Sequence, residues 1–205
     1  MRTARTLTTG FAMVAMLLAV GVGAAQDTAK AMDVEVTQPG TWVTKAQTEN
    51  MTVVVGYRLA ATSPRQDWLL VELAVSGRAG KTATIRREDI SVIAPDGTRI
   101  PLADQATFGK AYNELRSYLR RMMVTRDPLG YFPPLRRSCD LQFLTEPGRK
   151  VVFDQVQVDN WRVCDGVLAF PLPNGFKPGT WTLVIEQPDG AIKMPMDLVS
   201  GTAKN

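Results

Sequence analysis

Asp67-Trp-Leu-Leu-Val-Glu-Leu-Ala-Val-Ser76 is the stretch on which the fold turns. In an extended chain Leu69, Val71, Leu73 and Val75 fall on one face, and Trp68, Leu70, Glu72 and Ala74 on the other. The first set is wholly aliphatic and must face a core. The second carries a charge and is expected to be half exposed. Shorter runs of the same kind precede it at Met32–Val36, Gly40–Gln47 and Met51–Leu59, and follow it at Thr82–Arg86, Asp89–Ala94 and Arg99–Leu102. Pro95-Asp-Gly-Thr98 is a tight-turn signal that makes the last two a hairpin. Pro101, which cannot donate to a ladder, puts the returning strand at a sheet edge.

The β pattern is interrupted once by a long stretch that does not read as strand, Asp104 to Arg137. Ala111, Leu115, Tyr118, Leu119 and Met122 recur at the spacing of one helical face, so an amphipathic helix is predicted over about 104–126. A proline-bound loop, Asp127-Pro-Leu-Gly-Tyr-Phe-Pro-Pro-Leu-Arg-Arg137, ends it. Strand signals then resume at Cys139–Leu144, Val151–Phe153, Val156–Val158 and Val167–Leu172. A closing hairpin follows, Thr180–Glu186 with Ala191–Val199 across Pro188-Asp-Gly190. Many short strands separated by Gly and Pro predict a mainly β fold, an antiparallel sandwich with one inserted helix rather than βαβ units. No linker, repeat or low-complexity tract divides the chain, so residues 26–205 are read as a single domain.

Three runs carry a family resemblance: Asp67–Ser76, Ile90-Ser-Val-Ile-Ala-Pro-Asp-Gly-Thr-Arg-Ile-Pro-Leu102, and Gly179-Thr-Trp-Thr-Leu-Val-Ile185. Together they resemble exported bacterial immunoglobulin-like domains, the immunoprotective-extracellular, telokin-like group of unknown function. The resemblance spans about two-thirds of the chain that follows residue 25 and implies an immunoglobulin-like sandwich and an exported protein. It implies no activity and brings no catalytic residues. The inserted helix and the cysteine positions depart from that pattern.

Export is also read directly from the N-terminus. Arg2 and Arg5, the apolar run Phe11–Val22 and the small residues Gly23-Ala-Ala25 have the order of a secretory signal peptide, here residues 1–25. The run is too short to span a bilayer, no cysteine stands at the cleavage point to take a lipid, and no later segment is a transmembrane candidate. A periplasmic or secreted location is therefore expected. In such a compartment Cys139 and Cys164 are expected to form one disulfide. Cleavage would lower the formal charge from +4 to +2, while the span Lys110–Arg137 alone carries a net +5. The basicity is local to the helix and the loop after it.

The composition removes several chemistries. The chain has no histidine, and with it go the usual serine, cysteine and zinc mechanisms. There is no Cys-x-x-Cys, no Gly-rich phosphate loop and no calcium loop, so no catalytic residue, metal site or cofactor is assigned. A histidine-free hydrolase would need paired carboxylates. The candidates are Asp154, Asp159 and Asp165, or Glu88 with Asp89, and two acids facing each other in a pocket would be its mark. Nucleic acid is not an expected partner, because the aromatics are not interleaved with the basic residues.

The remaining expectation is a non-enzymatic binding or structural protein of the cell envelope. Arg116, Arg120 and Arg121 share the polar side of the helix, and guanidinium groups suit carboxylate or phosphate recognition. Tyr131 and Phe132 in the following loop could add an aromatic contact. The partner expected is an envelope protein or an anionic surface polymer. The alternative is a carbohydrate-binding accessory domain with an exposed platform drawn from Trp42, Trp68, Trp161 and Trp181, all of which sit in or beside strand-like runs where a core role is the default.

Overall fold

The computed structural model describes residues 32–78, 80–134 and 136–199. The signal peptide read at residues 1–25 and the tail from Ser200 lie outside them. Among the described residues the chain is mainly β. In order it forms β1 (Glu35–Gly40), β2 (Val43–Gln47), β3 (Met51–Gly56), the short helix α1 (Arg58–Thr62) and β4 (Trp68–Gly77). It continues with β5 (Ala83–Arg86), β6 (Ile90–Ile93), β7 (Arg99–Pro101) and the long helix α2 (Gln105–Thr125). The last elements are β8 (Arg137–Asp140), β9 (Gln155–Val158), β10 (Arg162–Pro171), β11 (Gly179–Gln187) and β12 (Gly190–Leu198).

The strands make a six-stranded sheet, β1-β2-β3-β4-β10-β8, a four-stranded sheet, β12-β11-β6-β7, and a small pair, β5-β9. One continuous core takes Val53, Val55, Leu69, Val71, Leu73, Val75, Leu168 and Phe170 from the larger sheet. From the smaller it takes Ile90, Val92, Trp181, Leu183, Ile185, Ile192, Met194 and Met196. These are the alternate positions of each strand, as the period-2 pattern requires. The β6–β7 hairpin turns at Gly97, where φ is 84° and the Asp96 side chain accepts the Thr98 N–H at 3.0 Å. Pro101 does lie on an edge strand. Closing the β8–β10 seam, Cys139 and Cys164 are directly paired across the ladder and joined as a disulfide.

Several local expectations are corrected. The run Met51–Leu59 stops as a strand at Gly56, and Arg58–Thr62 turns helical. The strand read at Cys139–Leu144 ends at Asp140, because Gln142 adopts a left-handed φ of 47° that breaks the ladder. Leu141 and Phe143 are nevertheless buried in the core, so their alternation reported packing without strand. Val151–Phe153 forms no strand. The pairing is not wholly antiparallel either, since β8 runs parallel to β10.

The largest correction concerns the outer face of β4. Every residue of β4 is buried, Trp68, Leu70 and Glu72 included. Helix α2 covers that face, packing Phe108, Leu115, Leu119 and Met122 against Trp68, Leu70 and Ala169. The helix starts where Asp104 accepts the Thr107 N–H at 2.6 Å and the Thr107 hydroxyl at 3.1 Å, a side-chain cap for otherwise orphan donors. It stops at Arg126, which turns left-handed at φ 39°, with Pro128 close behind. A 3-10 turn, Asp127–Tyr131, then lies on β3 and β4. Full burial of a leucine such as Leu115 stabilises this layer by about 1.5–3 kcal/mol.

Candidate functional site

A groove of about 440 Å³ opens between α2 and the outer face of the six-stranded sheet. Its floor comes from β4 and β10, at Glu72, Asp165, Gly166 and Val167. One wall is α2, which contributes Phe108, Tyr112, Arg116, Leu119, Arg120 and Met123. The facing wall is the irregular segment after β8, including Leu144, Thr145, Arg149 and Lys150. Two hydrogen bonds tie the walls together: Gln105 Nε2 donates to Thr145 O at 2.8 Å, and the Thr145 N–H donates to Gln105 Oε1 at 3.0 Å. The turn at Arg126, Pro128 and Leu129 closes one end.

That end is acidic. Glu72 and Asp165 project from the same face of neighbouring antiparallel strands. Val167 stands opposite Glu72 and Ala74 opposite Asp165, which makes the two acids diagonal neighbours. Asp127 joins them from the turn. Each of the other two acids has a cation: Asp127 Oδ2 lies 2.8 Å from Arg58 Nε, and Asp165 Oδ2 lies 3.9 Å from Arg126 Nε. Among the described residues no such ion pair reaches Glu72, whose side chain takes one long hydrogen bond, 3.4 Å from the Thr125 hydroxyl. Only 9% of Glu72 is exposed. Burial, then the charge of Asp127, push its carboxyl up to about 7, and the Thr125 hydroxyl and the Asp127 backbone N–H offset only part of this. Asp165 is also raised, first by burial, with Arg126 opposing.

The rim is basic. Arg149 pairs with Glu146 at 3.0 Å and Lys150 with Asp140 at 2.7 Å. Arg116 and Arg120 are exposed, one helical turn apart, and make no ion pair with a described residue. Between rim and floor the surface is apolar, set by Phe108, Leu119, Met123, Leu144 and Val167.

Of the residues singled out in the sequence, Arg116 and Arg120 come together on this groove. Arg121 does not. Its guanidinium lies over the Tyr118 ring, 5.6 Å from the centroid, and Nη2 reaches Ser63 Oγ at 3.4 Å. Tyr131 is half-buried with its hydroxyl against Gly40, and neither it nor Phe132 lines the groove. Among the paired-acid candidates, Asp154 pairs with Arg87, Asp159 with Arg162, and Asp89 and Glu88 with Arg86. Asp165 alone enters the groove, and its neighbour there is Glu72, which sequence reasoning left on a half-exposed face. A lone carboxylate inside an otherwise buried apolar run was the signal that could have found it.

The tryptophans part company as well. Trp181 is in the core with its N–H on Lys177 O at 2.8 Å, Trp68 lies under α2, and Trp42 packs edge-on against Tyr57. Trp161, 74% exposed, departs from the expected core role and is the single exposed one of the four, so they form no shared platform. Among the described residues no helix is long and apolar enough to cross a membrane, and no cluster of three or more acids or cysteines could hold a metal ion. No protein-family model matches this chain, and neither does a curated protein or a solved structure.

Proposed function

We propose that this is an exported, non-enzymatic binding protein of the cell envelope, built as an immunoglobulin-like sandwich with α2 laid over one sheet. Its ligand is an anionic group with an adjoining apolar portion, belonging to an envelope protein or a surface polymer, and it is held in the groove. The observation that carries this reading is Arg116 and Arg120, two exposed cations with no ion pair among the described residues, above an apolar-walled groove. Exposed guanidinium groups on such a rim suit carboxylate or phosphate. The groove volume is that of a small-ligand pocket. The disulfide fits an oxidising compartment.

The test is titration with octanoate, a carboxylate on a short apolar chain. Octanoate should bind, weaken with added salt, and lose most of its affinity in Arg116→Ala/Arg120→Ala while the melting temperature holds. No binding to the native protein, or equal binding to the variant, would remove the basic rim from the function.

One observation favours a second reading. Glu72 and Asp165 share one end of the groove, and a histidine-free hydrolase needs two acids together in a pocket. Asp165 is already engaged by Arg126, which leaves the binding reading better supported. Turnover of any ester or glycoside that both Glu72→Gln and Asp165→Asn abolish would reverse that order.

A further inference from the structure

Glu72 is a buried carboxyl at the end of an open groove, and the cations nearby are spent on its neighbours. Arg58 pairs with Asp127 and Arg126 with Asp165. What faces Glu72 is the Thr125 hydroxyl from α2, the Asp127 backbone N–H and Pro128 from the turn, and two further carboxylates, Asp127 and Asp165. An ionised carboxylate in such a place lacks compensation for its lost hydration. Burial and the neighbouring charge of Asp127 raise its carboxyl to about 7, which favours the protonated form up to near neutral pH.

We propose that Glu72, with Asp165 beside it, is the subsite for an ammonium group, so that the groove takes a zwitterionic ligand with its anion on Arg116 and Arg120 and its cation on Glu72. The proposal rests on the groove reading above and adds the second charge of the ligand. An ammonium supplies the charge and the donors that Glu72 lacks, and the opposed signs at the two places fix the ligand's direction. Arg58 and Arg126 balance Asp127 and Asp165, so the ionised Glu72 leaves this end one charge negative, which disfavours an anion entering that way round. Binding exchanges a proton for the ammonium: the O–H of Glu72 gives its proton to solvent as the carboxylate meets the cation.

The test uses octanoate, octylamine and 8-aminooctanoate by calorimetry, with the native protein and Glu72→Gln. For the native protein at pH 8, 8-aminooctanoate should bind about tenfold or more tighter than octanoate. Glu72→Gln should remove that advantage, bringing 8-aminooctanoate to the affinity of octanoate for the same variant. Octylamine should bind the native protein more tightly as pH rises through 7, while its own amine stays charged to about pH 10. This pH profile needs no variant, so it stands even if Glu72→Gln misfolds. Equal affinity for octanoate and 8-aminooctanoate, or an octylamine affinity flat between pH 5 and 8, would overturn the ammonium subsite and leave the anion site intact. Failure of octanoate alone, with octylamine still bound and lost in Glu72→Gln, would instead sink the basic-rim reading.

Discussion

Gly56 stands directly across the β3–β4 ladder from Glu72, and Pro128 occupies the space its missing side chain leaves. A methyl group on Gly56 would lie 2.9 Å from Pro128 Cγ and 3.3 Å from Glu72 Oε2. The glycine is therefore what lets the turn after α2 settle onto the sheet and roof the acidic end of the groove. Gly56→Ala should lower stability by about 1–3 kcal/mol, the usual range for overpacking, and displace the turn. Chemical denaturation measures the first effect. A Gly56→Ala protein as stable as the native one would mean that the turn is not seated there in solution.

Glu72 makes the fold sensitive to pH. Its carboxyl is raised in the folded state, so the native protein holds a proton that the unfolded chain gives up. The contribution is fully present below about 4.5, the ordinary value, and is lost as pH rises through about 7. Glu72→Gln, neutral at every pH, should therefore gain stability over the native protein at pH 8 and little at pH 4.5. The full shift corresponds to roughly 3 kcal/mol, trimmed by water in the open groove to on the order of 2 kcal/mol. Equal gains at both pH values would assign the effect to packing rather than charge.

The cap on α2 yields a prediction of opposite sign. Asp104 is held below the usual carboxylate range, first by the Thr107 N–H. Its stabilisation is present above that range and fades as pH falls through the lowered value. Asp104→Ala should lower the melting temperature by a few degrees at pH 7, with the difference narrowing toward pH 2. A difference that stays constant with pH would mean the carboxylate charge is not what caps the helix.

The disulfide closes a loop with a sequence separation of 25 residues and fastens β8, an edge strand, to β10. Its removal in Cys139→Ser/Cys164→Ser should cost roughly 3 kcal/mol in the chain-entropy model. Hydrogen exchange should quicken first in β8. Uniform loss of protection across both sheets would show that the bond supports the whole fold and not the edge alone.

Arg121 separates the two uses of the helix's basic residues. It lies over Tyr118 and reaches Ser63, away from the groove. Arg121→Ala should leave octanoate affinity within about twofold and cost under about 1 kcal/mol of stability, as exposed cation–π contacts do. An octanoate affinity that falls as far as in Arg116→Ala/Arg120→Ala would return Arg121 to the binding face.

Most local elements and their core-facing sides were legible in the residues themselves, though the strand ends at Gly56 and Asp140 and the burial of the outer face of β4 were not. Aliphatic alternation at Leu69, Val71, Leu73 and Val75 set the core side of β4. Helical spacing at Leu115, Leu119 and Met122 set the buried side of α2, whose observed ends at Asp104 and Arg126 fall where the pattern runs out. The Pro95–Thr98 turn and the partnership of the two cysteines were equally legible, because each rests on the geometry or chemistry of a few neighbouring residues. Tertiary structure alone decided that α2 would cover the Trp68–Glu72 face, that β8 would run parallel to β10, and that Arg116 and Arg120 would share a groove while Arg121 did not. It alone set Glu72 beside Asp165, residues 93 positions apart in the chain. Periodicity reports that a face is buried but not what buries it. The partner depends on ladder register and on how the left-handed turn at Arg126 sends the chain back over the sheet, and those are fixed by packing over long sequence separations.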